Sequence, residues 1–510
     1  MRISCAPLLA VACWLTPAQS EINRKQVVSQ FNPTRYASSN STPMQVGNGN
    51  FAFGADITGL QTFLPYGILS SWGWHNFSLP TAPGQTSPKD FTGLEWYAIH
   101  PKFLRVQFLM LSRWTHGRLV NYDQPNPAEP LISNWLIQNP QRVNLGRVGL
   151  YFNGSNVSEA DLLNRSQTLD LYSGTISSQF TIQGSQVKVQ TNVDPGSDTV
   201  AIQVQSDLIA SGQLGMFFDY PYPDVNKFDD PFVGVWNNVS LHTTTLQQSG
   251  QEAQITHEMD TMTYFTSINW DGAASISGPL DSSHRYILQP KLHGSSKLDL
   301  TVNFSPTPVR DNFDANAIED SSINWWSSYW ETGAFVDLTS TFSSSATELQ
   351  RRIILSQYLL AVNEAGQDSP QESGLVNNGW YGKFHMEMVL WHLVHWARWG
   401  KWSLLERTLP GLYERFLPTS LERAQDQGYA GARWGKMSDP TGRSAPGEIN
   451  SLLIWQQPHP FYFAELEYRA FPNQQTLKKW DEILTQSAEF MTSFAWWNSS
   501  TSKFLDFVRS

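Results

Sequence analysis

The sequence predicts a mixed chain, a large antiparallel β-sandwich followed by an α-helical region. Three observations carry that prediction. From about Gln26 to Phe304 apolar and polar residues alternate with period two, the signature of strands with one buried face. Near Arg310 the pattern changes to apolar residues at helical spacing. At 510 residues the chain also exceeds one ordinary domain, so two units with connecting structure are expected.

Residues 1–20 read as a secretory signal. Arg2 is a short positive region, Ile3 to Leu15 an apolar core, and Ala18-Gln19-Ser20 a small-x-small cleavage site. The apolar run is too short for a comfortable membrane span, and no later window offers one. Cys5 and Cys13 both lie inside the signal. A mature chain beginning near Glu21 would then lack cysteine and draw its stability from core size. Sequons at Asn40, Asn76, Asn153, Asn156, Asn164, Asn238, Asn303 and Asn498 fit a secreted glycoprotein, extracellular or in a cell wall. Each of these asparagines is expected at the surface if it is modified.

Residues 21–310 are the expected sandwich. Phe180 to Ile182, Val187 to Val193 and Val200 to Val204 alternate most clearly, with the turn cluster Asp194-Pro195-Gly196-Ser197 between the last two. Shorter apolar runs recur at Val106–Leu111, Leu214–Phe218 and Leu298–Val302. Residues 311–345 form an expected helical linker, where Asn312 to Trp330 is rich in Asn, Asp, Ser and Trp. Residues 346–510 are the expected helical domain. Thr347–Val362 places Leu349, Ile353, Ser356 and Leu360 on one face, and further helices are expected at His385–Trp399, Ser403–Gln427, Asn450–Ala470 and Thr476–Phe494.

Composition excludes several classes of partner. The formal net charge is −11 and no basic run carries interleaved aromatics, so nucleic acid is not expected. His385, His392 and His395 share one predicted helix, but without a clear carboxylate or fourth ligand ordinary packing is favoured over a metal. Gly47-x-Gly49 lacks the strand–GxGxxG–helix context of a dinucleotide site. No G-x-S-x-G nucleophile elbow occurs, and Ser500 to Lys503 matches S-x-x-K only by accident in a polar tail. Neither a metal nor a cofactor is expected.

The stretch from Gly379 to Pro460 is the most informative. Trp380, Trp391, Trp396, Trp399, Trp402, Trp434 and Trp455 stand there among isolated carboxylates, histidines and glycine-rich turns. Helix packing does not need so many indoles, whereas a sugar pocket does. Aromatic faces stack on the C–H face of a pyranose, and a few fixed polar groups read its hydroxyls. Aromatic-rich packing without a ligand is the competing explanation.

Several short motifs add to this. They are Val46-Gly-Asn-Gly-Asn-Phe51, Leu169-Asp-Leu-Tyr-Ser-Gly174 with the following meander, Phe384-His-Met-Glu387, Gly428-Tyr-Ala-Gly-Ala432-Arg-Trp434, and His459 leading Phe461–Tyr468. Together they resemble the six-hairpin (α/α)6 glycosidases, nearest to glycoside hydrolase family 65, with family 95 as second choice. The resemblance implies a super-sandwich, a helical linker and a toroid of paired helices. It departs from the family pattern twice. His385 stands where the family typically has Asp in Trp-Asp-x-Glu, and Gln456-Gln457-Pro458 fills a slot where relatives can offer an acid. The toroid expected here is partial, and the general base is expected beyond residue 510 of a truncated gene product.

The chemistry such enzymes need constrains the roles. One carboxylic acid protonates the leaving oxygen, and an inverting enzyme activates water from the opposite face or uses phosphate as nucleophile. Between Trp434 and His459 the acids are Asp439 and Glu448. Asp439, in Ser-Asp-Pro-Thr-Gly, reads as a turn residue. Glu448 is either the general acid or a first-turn helix residue, whose ionised form the helix terminus would favour. Glu387 reads as a sugar-hydroxyl acceptor or as a buried ion pair with Lys383 or Arg433. Lys383, Arg433 and Lys436 are possible donors to sugar oxygens. Trp380, His385, Trp391, Trp434, Gln457 and His459 complete the expected substrate contacts.

The expectation is a secreted glycoside hydrolase-like protein that cleaves an α-linked di- or oligosaccharide with inversion. The alternative is a non-catalytic carbohydrate-binding or cell-wall glycoprotein. A deoxysugar hydrolase of the family 95 kind is a third possibility.

Overall fold

The computed structural model describes residues 22–80, 113–115, 118–120, 125, 129–224, 228–229, 234–309, 314–369, 371–376, 378–444 and 451–505. The signal at 1–20, the run Val106–Leu111, Asn312 and Glu448 lie outside them.

A nine-stranded sheet dominates the first half. In spatial order its strands are Thr34–Arg35, Leu163–Asp170, Thr175–Ile182, Ser185–Val193, Thr199–Gln205, Lys297–Ser305, Met262–Trp270, Glu252–Met259 and His242–Ser249. Every neighbouring pair is antiparallel. The predicted alternation sets the faces: Val187 and Val189 are buried while Gln186 and Lys188 are exposed. Val193 pairs with Val200 across the Asp194–Ser197 turn, where the Ser197 hydroxyl donates to the Asp194 carboxylate at 2.7 Å.

A second antiparallel sheet runs Ala274–Ser277, Tyr286–Pro290, Leu214–Asp219, Arg147–Phe152. Its Leu150, Met216, Phe218 and Leu288 join Val187, Ile202 and Leu300 of the larger sheet in one core. Asn303 is buried in this fold, with its side-chain amide donating to Thr199 Oγ1 at 2.9 Å. A side-chain amide buried in this way has no room for a glycan, so the sequon at Asn303 does not meet the condition for modification in this fold.

The helix Ala315–Glu331 joins sheet to helices. Asp314 caps it by accepting from the backbone N–H groups of Asn316 and Ala317. Its aromatic residues are anchors rather than ligand contacts. Trp326 stacks on Tyr358 with centroids 4.4 Å apart, and Trp330 Nε1 donates to the Leu171 carbonyl at 2.7 Å. Gly174 (φ +67°) makes room: a Cβ there would sit 2.0 Å from Trp326 Nε1.

The helical half contains Ser344–Glu364, Val389–Arg398, Trp402–Thr408, Gly411–Asp426, His459–Ala470 and Gln474–Phe494. The last two pack on each other, and Gln474–Phe494 also contacts Gly411–Asp426. Several boundaries differ from expectation. Ser344–Glu364 buries Ile354, Gln357, Tyr358, Ala361 and Val362, while Leu349 is exposed, so the inward face is shifted. Ser403–Gln427 is two helices interrupted at Leu409–Pro410, where proline cannot continue the hydrogen-bond ladder. His385 is not helical: it lies in a two-residue strand paired with Met437–Ser438, and the helix starts at Val389. Residues 451–458 are turns and loop, and the expected 450–470 helix begins only at His459, next to Pro458 and Pro460. Among the described residues no helix is long and apolar enough to cross a membrane.

Candidate functional site

The Phe384–His385 and Met437–Ser438 strands form the frame of the site. Phe384 pairs with Ser438 and His385 with Met437, and the Met386 N–H donates to the Lys436 carbonyl at 2.8 Å. This pairing brings Glu387 beside Lys436. Glu387 Oε1 lies 2.7 Å from Lys436 Nζ, and Glu387 Oε2 accepts from Trp455 Nε1 at 3.0 Å. The ion-pair partner of Glu387 is therefore Lys436, which corrects the expected Lys383 or Arg433. Lys436 Nζ also sits 4.7 Å from the centroid of Trp380.

Above this buried pair stand two open indoles. Trp391 is 54 % exposed and Trp455 55 %, with ring centroids 6.1 Å apart and planes tilted by 44°. The buried His459 ring meets Trp391 edge-on at 5.8 Å. Burial holds His459 down to about 4, so it is neutral at ordinary pH. Trp380 is half-buried and meets the His385 ring at 6.0 Å. The structure thus gathers Trp380, His385, Glu387, Trp391 and His459, with Lys436 and Trp455, in one cluster.

Four other predicted contacts serve the framework instead. Trp434 is 1 % exposed, packs edge-on against Tyr413 and donates its indole N–H to Ser487 at 3.0 Å. It presents no face to a ligand. Gln457 clamps the backbone of Trp434, accepting from its N–H at 3.0 Å and donating to its carbonyl at 2.8 Å. Arg433 is buried, with its guanidinium bonded to Gln427 Oε1 and to the Ser451 carbonyl. Lys383 is buried and donates to the carbonyls of Asn139 at 2.7 Å and Pro140 at 2.9 Å; burial pulls its ammonium down to about 7. Asp439 is a turn residue in the structure, accepting from Thr441 N–H at 2.8 Å and Arg443 N–H at 3.2 Å.

Two carboxylates near the cluster were not anticipated. Glu372 Oε2 lies 3.8 Å from His385 Nε2. His385 Nδ1 must carry its proton, because it faces the Lys383 carbonyl at 3.1 Å, so Nε2 is a lone pair. Burial and the nearby Lys436 charge hold His385 down to about 3. Glu364 Oε1 lies 3.8 Å from His392 Nε2, and burial pushes the Glu364 carboxyl up to about 8. Neither acid stands in an aromatic or glycine-rich setting that would have singled it out. Among the described residues no group of three or more His, Cys, Asp and Glu is arranged to hold a metal ion.

No protein-family model and no curated protein matches the chain. Solved structures do. One, provisionally named a kojibiose phosphorylase and from the human microbiome, is 12% identical, covers 96% of this chain, and has a TM-score of 0.60. This chain spans 60% of that structure's length. A bacterial glucoamylase complexed with acarbose is 10% identical, with 69% of this chain and 53% of that one covered and a TM-score of 0.45. A GH92 family glycosyl hydrolase is 10% identical, with 94% and 57% covered and a TM-score of 0.38. The first likeness is one of fold: this β-then-α architecture is shared with that structure.

Proposed function

We propose that the chain is a glycoside-processing protein of the six-hairpin glycosidase type, acting on an α-linked di- or oligosaccharide. The observation that carries this reading is the open Trp391–Trp455 pair above the buried Glu387–Lys436 floor. Two tilted indoles offer an open apolar wall for the C–H face of a pyranose, carried on a fixed, buried floor. The fold likeness to a glycoside-processing enzyme supports the same reading. Secretion, with the signal at residues 1–20, belongs to it as well.

Chemistry by inversion assigns Glu448 the role of acid. Its carboxyl proton passes to the glycosidic oxygen as the bond from that oxygen to the anomeric carbon breaks. Water then adds to the anomeric carbon from the opposite face and gives up a proton to a base. Hydrolysis is preferred to phosphorolysis because a secreted protein has less dependable access to phosphate. A second reading, binding without turnover, is favoured by one observation. The neutral, buried His385 occupies the place of the Asp in the motif it resembles.

Incubation of the intact protein with kojibiose, maltose and an α-fucoside, with and without phosphate, tests both readings. Release of sugar that Glu448→Gln abolishes supports the enzyme. Binding of a saccharide with no release under either condition leaves the second reading.

A further inference from the structure

We propose that Glu387 is a positioning residue, which fixes the Trp455 indole as a stacking wall and does not itself take a sugar hydroxyl. The proposal rests on the saccharide reading of the site and deepens it. Both carboxylate oxygens of Glu387 are already engaged inside the protein, one by Lys436 at 2.7 Å and one by Trp455 Nε1 at 3.0 Å. The residue is 5% exposed, so a ligand reaches little of it. Trp455 is the reverse case. Its side chain is 55% exposed and its backbone lies in the turns before the His459 helix, so no regular element sets its orientation.

A charge-assisted N–H···O bond supplies that orientation. Lys436 supports it from the other side, because its ammonium is held between the Glu387 carboxylate and the Trp380 face. An indole ordered before the ligand arrives loses less rotational freedom on binding. Trp391, on the Val389–Arg398 helix, needs no such support, since the helix backbone fixes where its side chain starts.

The test follows the Trp455 indole N–H resonance of the full chain, assigned by its loss in Trp455→Phe. In Glu387→Ala the resonance should move to the position of a solvent-exchanging indole, whereas Glu387→Gln, which keeps an acceptor, should retain a protected signal. Calorimetry with kojibiose and maltose gives the second readout. Glu387→Ala should weaken binding about tenfold, and Glu387→Ala with Trp455→Ala should bind no worse than Trp455→Ala alone. Losses that add up in the double variant would mean direct sugar contact and overturn the proposal, as would an unmoved indole resonance in Glu387→Ala. If Glu387→Ala does not fold, 3-benzothienylalanine at position 455 replaces it, because it keeps the bicyclic face and removes only the N–H and should reproduce the loss of affinity; unchanged affinity would overturn the proposal. Should neither sugar bind, the saccharide reading of the site fails while the indole resonance still decides the positioning role.

Discussion

His242 Nδ1 lies 2.6 Å from His257 Nε2 on the neighbouring strand, inside the nine-stranded sheet. Hydrogen-bond direction settles which nitrogen carries the proton in each ring. Tyr264 donates its hydroxyl to the Leu145 carbonyl at 2.5 Å, so it accepts from His257 Nδ1 at 2.7 Å. His257 Nε2 is then an acceptor and His242 Nδ1 the donor. His242 Nε2 is left as a buried lone pair without a partner, with the His284 ring 3.9 Å away. Both bonded rings must be neutral. Burial, with His284 adjacent, holds His242 down to about 4, and burial drives His257 well below the usual range.

Acid should therefore loosen the sheet. A histidine depressed in the folded state binds protons more readily when unfolded, so its stabilising effect is complete above about pH 6.5 and fades towards pH 4. Thermal midpoints from pH 7 to 4 should fall, and His242→Asn, whose amide nitrogen stands where Nδ1 does and keeps a neutral donor towards His257, should fall less. Identical slopes for the two proteins would refute the assignment.

Glu364 should act on the opposite limb. Its carboxyl is raised from 4.5 to about 8 by burial, so the folded state holds the proton more tightly. That contribution is complete below about pH 4.5 and is lost as pH rises through 8. Glu364→Gln mimics the protonated acid. Urea unfolding should find it more stable than the parent at pH 9, by on the order of 2 kcal/mol, with little difference at pH 5.

Gly174→Ala should cost about 3 kcal/mol or more. Its φ of +67° disfavours any other residue, and the added methyl carbon would overlap Trp326, whose ring is locked against Tyr358. The denaturant midpoint is the readout. Gly184→Ala, at a similar φ of +78° but facing open space, is the control and should lose much less.

Gln457→Leu should destabilise the protein by roughly 1–3 kcal/mol, because it leaves the Trp434 N–H buried without its acceptor. A direct sugar contact would instead leave the midpoint unchanged and weaken only saccharide binding. Differential scanning fluorimetry beside a saccharide titration separates the two.

The sheet was legible because its signal is local. Val187, Val189 and Val193 alternate with polar neighbours, and Asp194-Pro-Gly-Ser197 supplies the turn, so one hairpin can be read without knowing the rest. The site was less so. His385 and Glu387 sit next to a strongly helical stretch, and only pairing with Met437 and Ser438, far along the chain, makes His385 extended. The tryptophans divided for a related reason. Trp391 and Trp396 share one helix, about 140° apart around its axis, which separates the open ring from the buried one. Trp434 carries no comparable cue, since its burial depends on Tyr413 and Ser487 from two other helices.

The short pairing of Phe384–His385 with Met437–Ser438 also has a kinetic side. The two strands are separated in the chain by the Val389–Arg398, Trp402–Thr408 and Gly411–Asp426 helices. Closing so long a loop for two residue pairs is entropically uphill until the surrounding helices dock. The Trp391–Trp455 wall should accordingly be among the last parts of the helical half to assemble and among the first to open. A ligand that grips Trp391 and Trp455 together would then act as a clasp on that whole segment.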